Sequence, residues 1–104
     1  MKITIIGGTQ EKTFKKIGQK NGCVVLFHNG KTRNGAIKAD LRTYIKKADC
    51  VCVMLSACGH GTMETVRALC NEYDIPCVFH NSRGASGAIK LCKEKIKTAA
   101  AVAA

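Results

Sequence analysis

The residues of this chain best placed to do chemistry are its histidines, and their positions carry more information than their number. His28, His60 and His80 each fall at or just beyond the C-terminal end of a run that reads as a β-strand. In an open parallel α/β sheet that edge is where ligands bind. An imidazole there can stack on a base, serve in an acid/base pair or ligate a metal. Cys58 precedes His60 by two residues, which raises a thiol-nucleophile reading. No acid sits in that loop to orient the histidine, so a binding role is favoured over an enzyme. A His28, Cys58, His60 ligand set matches no known zinc knuckle. A metal there stays an alternative, as a three-ligand set with an open position, and no cofactor is called for.

Two further segments suit an anion. Gly7-Gly8-Thr9-Gln10 turns the chain from a first strand into a helix and can point backbone N–H groups at a phosphate. It lacks the G-x-G-x-x-G fingerprint and the Lys-Ser/Thr of a P-loop. Ser82 to Gly87 combines Ser82, Arg83 and Ser86 with two glycines at a helix start. A small anionic or nucleotide-like ligand would thus be held by Gly7, Gly8, Thr9, His28, Cys58, His60, Ser82, Arg83 and Ser86.

These loops need a scaffold, and the hydrophobic pattern supplies one. Ile3–Ile6, Cys23–Phe27, Cys50–Leu55 and Pro76–Phe79 are short, continuous apolar runs typical of parallel strands. Helical spacing separates them. Phe14 and Ile17 face inward over residues 11–20, and Ile37, Leu41, Tyr44, Ile45 and Ala48 recur in the second helix. Thr62 is placed to cap a third helix that buries Met63, Val66, Leu69, Cys70 and Tyr73. Ile89, Cys92 and Ile96 line the fourth, and residues 98–104 are expected to fray. Four βα units imply a Rossmann-like three-layer sandwich over residues 1–104, a single domain. Its four-stranded parallel sheet takes the order 2-1-3-4. The switch point lies between strands one and three.

Of the seven cysteines, Cys23, Cys50, Cys52, Cys70, Cys77 and Cys92 fall on strands or apolar helix faces, where free cysteine behaves as a small hydrophobe. That argues for a reducing compartment and against a disulfide scaffold. No apolar run approaches the roughly 20 residues of a membrane span, and the N-terminal MKITIIGG is a strand rather than a secretory signal. A cytoplasmic location, without membrane contact, is expected.

The formal net charge is +10, and it is uneven. Residues 1–47 hold eleven Lys/Arg against Glu11 and Asp40, whereas residues 48–104 hold six against five acids. An excess of this kind attracts polyanions. Lys12, Lys15, Lys16, Lys31, Arg33, Lys38, Arg42 and Lys46 are the expected phosphate contacts of a nucleic-acid-binding module. The chain has five aromatic residues and no Trp, so base stacking is limited and sequence preference weak. Strand two is an apolar edge strand, which pairing in a homodimer would cover.

Taken in order, the landmarks are Ile5-Ile6-Gly7-Gly8, His28-Asn29-Gly30, Ala48-Asp49, His60 opening a helix, Val66-Arg67-Ala68-Leu69-Cys70, Pro76 and the Ser82–Ser86 loop. This series resembles the small bacterial proteins of domain-of-unknown-function family 2325 over nearly the whole chain. That family's pattern has a glycine pair, a His-x-Gly, a Ser-His and a Lys-x-x-Cys-like step. Here Gly59 stands where serine is usual, and Arg67 where lysine is. The resemblance implies a Rossmann-like fold, groups His28 with His60 and brings no activity with it.

Overall fold

The computed structural model describes residues 1–30, 37–55, 60–80 and 84–103, with backbone alone for 37–40, 60 and 99–103. Four strands, β1 (Lys2–Ile6), β2 (Val24–His28), β3 (Cys50–Met54) and β4 (Cys77–His80), alternate with α1 (Glu11–Lys20), α2 (Ile37–Ile45), α3 (His60–Glu72) and α4 (Ala85–Ala103). All pairings are parallel, in the order β2-β1-β3-β4, giving a Rossmann-like α/β sandwich.

The sheet is buried on both faces, which explains its unbroken apolar strands. Alternate residues of each strand feed two separate cores. Ile3, Ile5, Val25, Cys50, Cys52 and Met54 pack against Phe14 of α1 and Ala88, Ile89 and Cys92 of α4. Ile6, Val51 and Val53 pack against Leu41 and Ile45 of α2 and Val66, Leu69 and Cys70 of α3. Thr4, fully buried on the α2/α3 side, is satisfied because its hydroxyl donates to the Tyr44 carbonyl at 2.8 Å. That carbonyl belongs to the last turn of α2, where no intrahelical partner exists.

α1 rides unusually close to β2. A Cβ added at Gly18 would clash with Val25 Cγ2, and the Cys23 amide donates to the Gly18 carbonyl at 2.8 Å. Glycine at this point is what lets the helix settle on the strand.

Several local expectations are revised. β2 and β4 each run one residue further than their apolar runs, because His28 and His80 still pair with neighbouring strands. Thr62 does not cap α3. The helix begins at His60, which puts Thr62 inside its first turn, and its hydroxyl donates instead to the Gly30 carbonyl at 3.2 Å. Tyr73 lies past the end of α3 and is exposed, so the inner face of that helix stops at Cys70. α4 continues through the alanine-rich stretch expected to fray; alanine has the highest helix propensity of all residues.

Candidate functional site

The strand registers make the C-terminal edge of the sheet flush. Ile6 lies opposite both His28 and Val53, and Met54 lies opposite His80. The glycine turn after β1 leaves this edge with Gly7 at φ 112° and Gly8 at φ 102°, a region open to glycine at no steric cost. The Gly7 amide donates to the His28 carbonyl at 2.8 Å, so the first turn is fastened to β2. Nothing lies within 4 Å of a Cβ placed on Gly8, and Thr9 is exposed. Through the Thr62–Gly30 bond, the first turn of α3 is held against the segment following β2. Gly7, Gly8, His28 and the backbone of His60 therefore border one rim above β1.

Their side chains do not form one cluster. His28 is only 7% exposed. Its Nδ1 accepts from the Gly30 amide at 2.9 Å, which leaves the ring proton for Nε2. Its ring meets the Tyr44 ring edge-on at a centroid distance of 5.2 Å. The imidazole thus acts as a joint between β2, its following segment and α2, in place of the open ligand that the sequence suggests. Residues opposite one another in a parallel sheet share a face, so His28 belongs to the α2/α3 side with Ile6. His80 belongs to the α1/α4 side with Met54 and packs against Gly87, where an added Cβ would sit 3.2 Å from Cε1. The two histidines are on opposite sides of the sheet. Cys58, Ser82 and Arg83 lie outside the described residues, as do Lys31 and Arg33. Among the described residues, no group of three or more His, Cys, Asp or Glu is spaced to hold a metal ion.

Charge is arranged differently from residue order. α1 exposes Lys12, Lys15, Lys16 and Lys20. Lys15 is held by Glu11 at 2.6 Å, one turn earlier, and the other three have no ion-pair partner among the described residues. α4 shares the same sheet face and carries Lys90, Lys93, Lys95 and Lys97. Along α4, facing Met1 and the Asn21 that ends α1, runs a groove lined also by Ser86, Lys90, Lys93, Glu94, Ile96 and Lys97. Ser86, assigned to the crevice loop from sequence, is the second residue of α4 and lines this groove. On the opposite face, Arg42 is half-buried, and its Nε is enclosed without a hydrogen-bond partner among the described residues. Lys46 is exposed in the turn after α2, and Lys38 has only its backbone described. Glu64, Glu72 and Asp74 offset the cations of this side. Sequence reading missed the α4 lysines because it counted charge along the chain, where those acids cancel them. Helical spacing of Lys90, Lys93 and Lys97 was the available signal.

No helix among the described residues is long and apolar enough to cross a membrane. The family model for "Uncharacterized protein conserved in bacteria (DUF2325)" matches residues 2–96. A UPF0751 protein of Bacillus anthracis is 33% identical over 97 residues, covering 93% of this chain and 97% of that protein. One from Bacillus cereus has the same identity and coverage. One from Desulfitobacterium hafniense is 26% identical over 102 residues, covering 95% of this chain and all of its own. No solved structure matches. The match over residues 2–96, together with 33% identity across 93% of the chain, makes this chain a member of the DUF2325 family.

Proposed function

We propose that this protein is a non-enzymatic nucleic-acid-binding module of the cytoplasm that grips phosphates through its cationic face. The single observation behind this reading is that α1 and α4, distant in sequence, carry their lysines on one side of the sheet. Exposed Lys12, Lys16 and Lys20 stand on α1, and exposed Lys90 and Lys97 line a groove along α4 with half-buried Lys93. Lys31 and Arg33, which follow β2 in the chain, are further phosphate contacts in this reading. Ion pairing leaves Lys15 a lesser part, and partial burial does the same for Arg42. Phosphate contacts carry no base information, so affinity is general and sequence preference weak.

A polarisation titration with short single-stranded and duplex oligonucleotides tests this. Binding is expected to weaken linearly in log–log terms as salt rises, with a slope of about −0.7 to −0.9 per phosphate neutralised. No binding to either probe at about 50 mM salt, where such contacts are strong, rejects the reading. The β2 edge favours a homodimer, since Val24 is 57% exposed on an outer strand. The free thiols of the six described cysteines suit a reducing cytoplasm.

A second reading rests on the open glycine turn: a small anionic or nucleotide-like ligand sensed at the rim above β1. It predicts thermal stabilisation by nucleotides that His60→Ala removes, with polyanion binding unchanged.

A further inference from the structure

At the opposite end of the sheet lies a pair of cysteines that the cationic face does not use. Cys70 is the third residue from the end of α3, and Cys77 is the first residue of β4. Between them the chain reverses through Tyr73, Asp74, Ile75 and Pro76. The Tyr73 amide donates to the Leu69 carbonyl at 3.0 Å and the Ile75 amide to the Cys70 carbonyl at 2.8 Å. Asp74 takes φ 55°, and the Pro76 carbonyl accepts from the Val51 amide at 2.9 Å. The reversal is therefore pinned to both α3 and β3. Cys77 lies opposite Val51 in the sheet, which directs its side chain to the α2/α3 face where Cys70 is packed.

The two thiols differ in access and share a groove. Cys70 is 3% exposed, whereas Cys77 is half-buried on an outer strand. Both line an open groove of about 590 Å³ together with Glu64, Arg67, Asn71 and Asp74. Arg67 lies one helical turn before Cys70, its guanidinium carbon 4.9 Å from the centre of the Phe79 ring. Phe79 and Cys77 are two apart on β4 and share a face.

We propose that Cys70 and Cys77 form an oxidisable dithiol: Cys77 attacks a hydroperoxide entering the groove beside Arg67, and Cys70 closes the disulfide. The Cys77 thiolate attacks the terminal peroxide oxygen and the O–O bond breaks. The electron pair leaves on the alkoxide, which takes one proton from water to become the alcohol, or water when the oxidant is hydrogen peroxide. Cys77 is now a sulfenic acid. The Cys70 sulfur attacks the Cys77 sulfur, the S–O bond breaks, and hydroxide departs with the Cys70 proton as water. Two sulfurs together lose two electrons, and the peroxide gains two.

The electrostatics match these roles. A hydrogen bond from Cys70 and the Arg67 charge lower the Cys77 thiol below its ordinary value, against burial. The same hydrogen bond, then burial, pushes the Cys70 thiol up. A thiolate is the nucleophile, so the half-exposed sulfur attacks first. Cys50, Cys52 and Cys92 make a useful contrast. They are fully buried on the other side of the sheet, with Cys92 pushed up by hydrogen bonds to Cys50 and Cys52.

Peptide-resolved mass spectrometry of the folded chain tests the proposal. Trypsin releases residues 68–83 as one peptide holding both cysteines. After brief hydrogen peroxide treatment and alkylation, that peptide is expected two hydrogens lighter and unalkylated, and dithiothreitol should restore two alkylation sites. Cys70→Ser should arrest the chain at a Cys77 sulfenic acid captured by dimedone. Arg67→Gln, at an exposed position, should slow Cys77 alkylation several-fold near neutral pH while leaving the melting temperature in place. A treated wild-type peptide that still accepts two alkyl groups overturns the proposal. So does disulfide formation that links Cys77 to any cysteine other than Cys70. Neither result touches the nucleic-acid reading, which uses none of these residues.

Discussion

Gly18 shows how a single missing methyl group sets the position of a helix. In an exposed helix interior, replacing glycine with alanine gains roughly 1 kcal/mol from propensity. At Gly18 the sign reverses, because the new Cβ meets Val25 Cγ2, and a β-branched side chain has little freedom to turn away. Gly18→Ala is expected to cost about 1–3 kcal/mol in denaturant unfolding, as overpacking does. Adding Val25→Ala should recover part of that loss, while a cost that stays additive would show that this clash is not responsible. Thr62 supplies a second test at this scale. Thr62→Val keeps the shape but removes the donor to the Gly30 carbonyl, for an expected loss of about 0.5–1.5 kcal/mol. The rim above β1 should loosen with it, seen as faster amide exchange at Gly30. Unchanged exchange there would mean that the rim is held by other bonds.

At the scale of elements, α1 and α4 act as one cationic surface and α3, with Glu64 and Glu72 against Arg67, as a mildly acidic one. Reversing Lys12 and Lys16 to Glu, or Lys90 and Lys93, is therefore expected to weaken oligonucleotide binding to a similar degree. Each pair should also flatten the salt slope by about 1 for every phosphate that is no longer neutralised. Arg67→Glu on α3 should leave binding unchanged. Equal weakening by all three variants would reduce the effect to net charge alone.

The elements also mark the limit of what the chain discloses before folding. The bounds of α1 were legible because Phe14 and Ile17 keep helical spacing between a glycine turn and Gly22. The order 2-1-3-4 followed from four βα units. The fate of His28 was not legible, since a polar residue ending an apolar run looks like a free ligand until its Nδ1 finds the Gly30 amide. Nor was the pairing of Cys70 with Cys77. One belongs to a helical pattern and the other to a strand, and only the reversal at Asp74 brings them together. Thr62 looked like a cap for a related reason: a hydroxyl at a helix start has two available uses, and tertiary position chose the longer-range one.

For the whole molecule, the proposed homodimer rests on β2. Val24 at 57% exposure on an outer strand is the kind of edge that soluble proteins cover or charge. Two copies paired there would carry their α1 lysines on a common body and lengthen the cationic track. Sedimentation of the wild type at micromolar concentration is expected to show a dimer, and Val24→Lys a monomer that remains folded. A wild type that sediments as a monomer removes the homodimer from the proposal without affecting the phosphate contacts of a single copy.

The placement of β1 and β3 inside the sheet, with β2 and β4 outside, also sets which parts of the protein breathe. Interior strands are hydrogen-bonded on both sides and open only with the entire fold, whereas outer strands can detach alone. Deuterium should therefore enter β2 and β4 long before β1 and β3. Cys77 heads one of those detachable strands. Each excursion of β4 would bare the otherwise hidden sulfur of Cys70 as well, so the tempo of oxidation would be governed by strand breathing as much as by thiol chemistry.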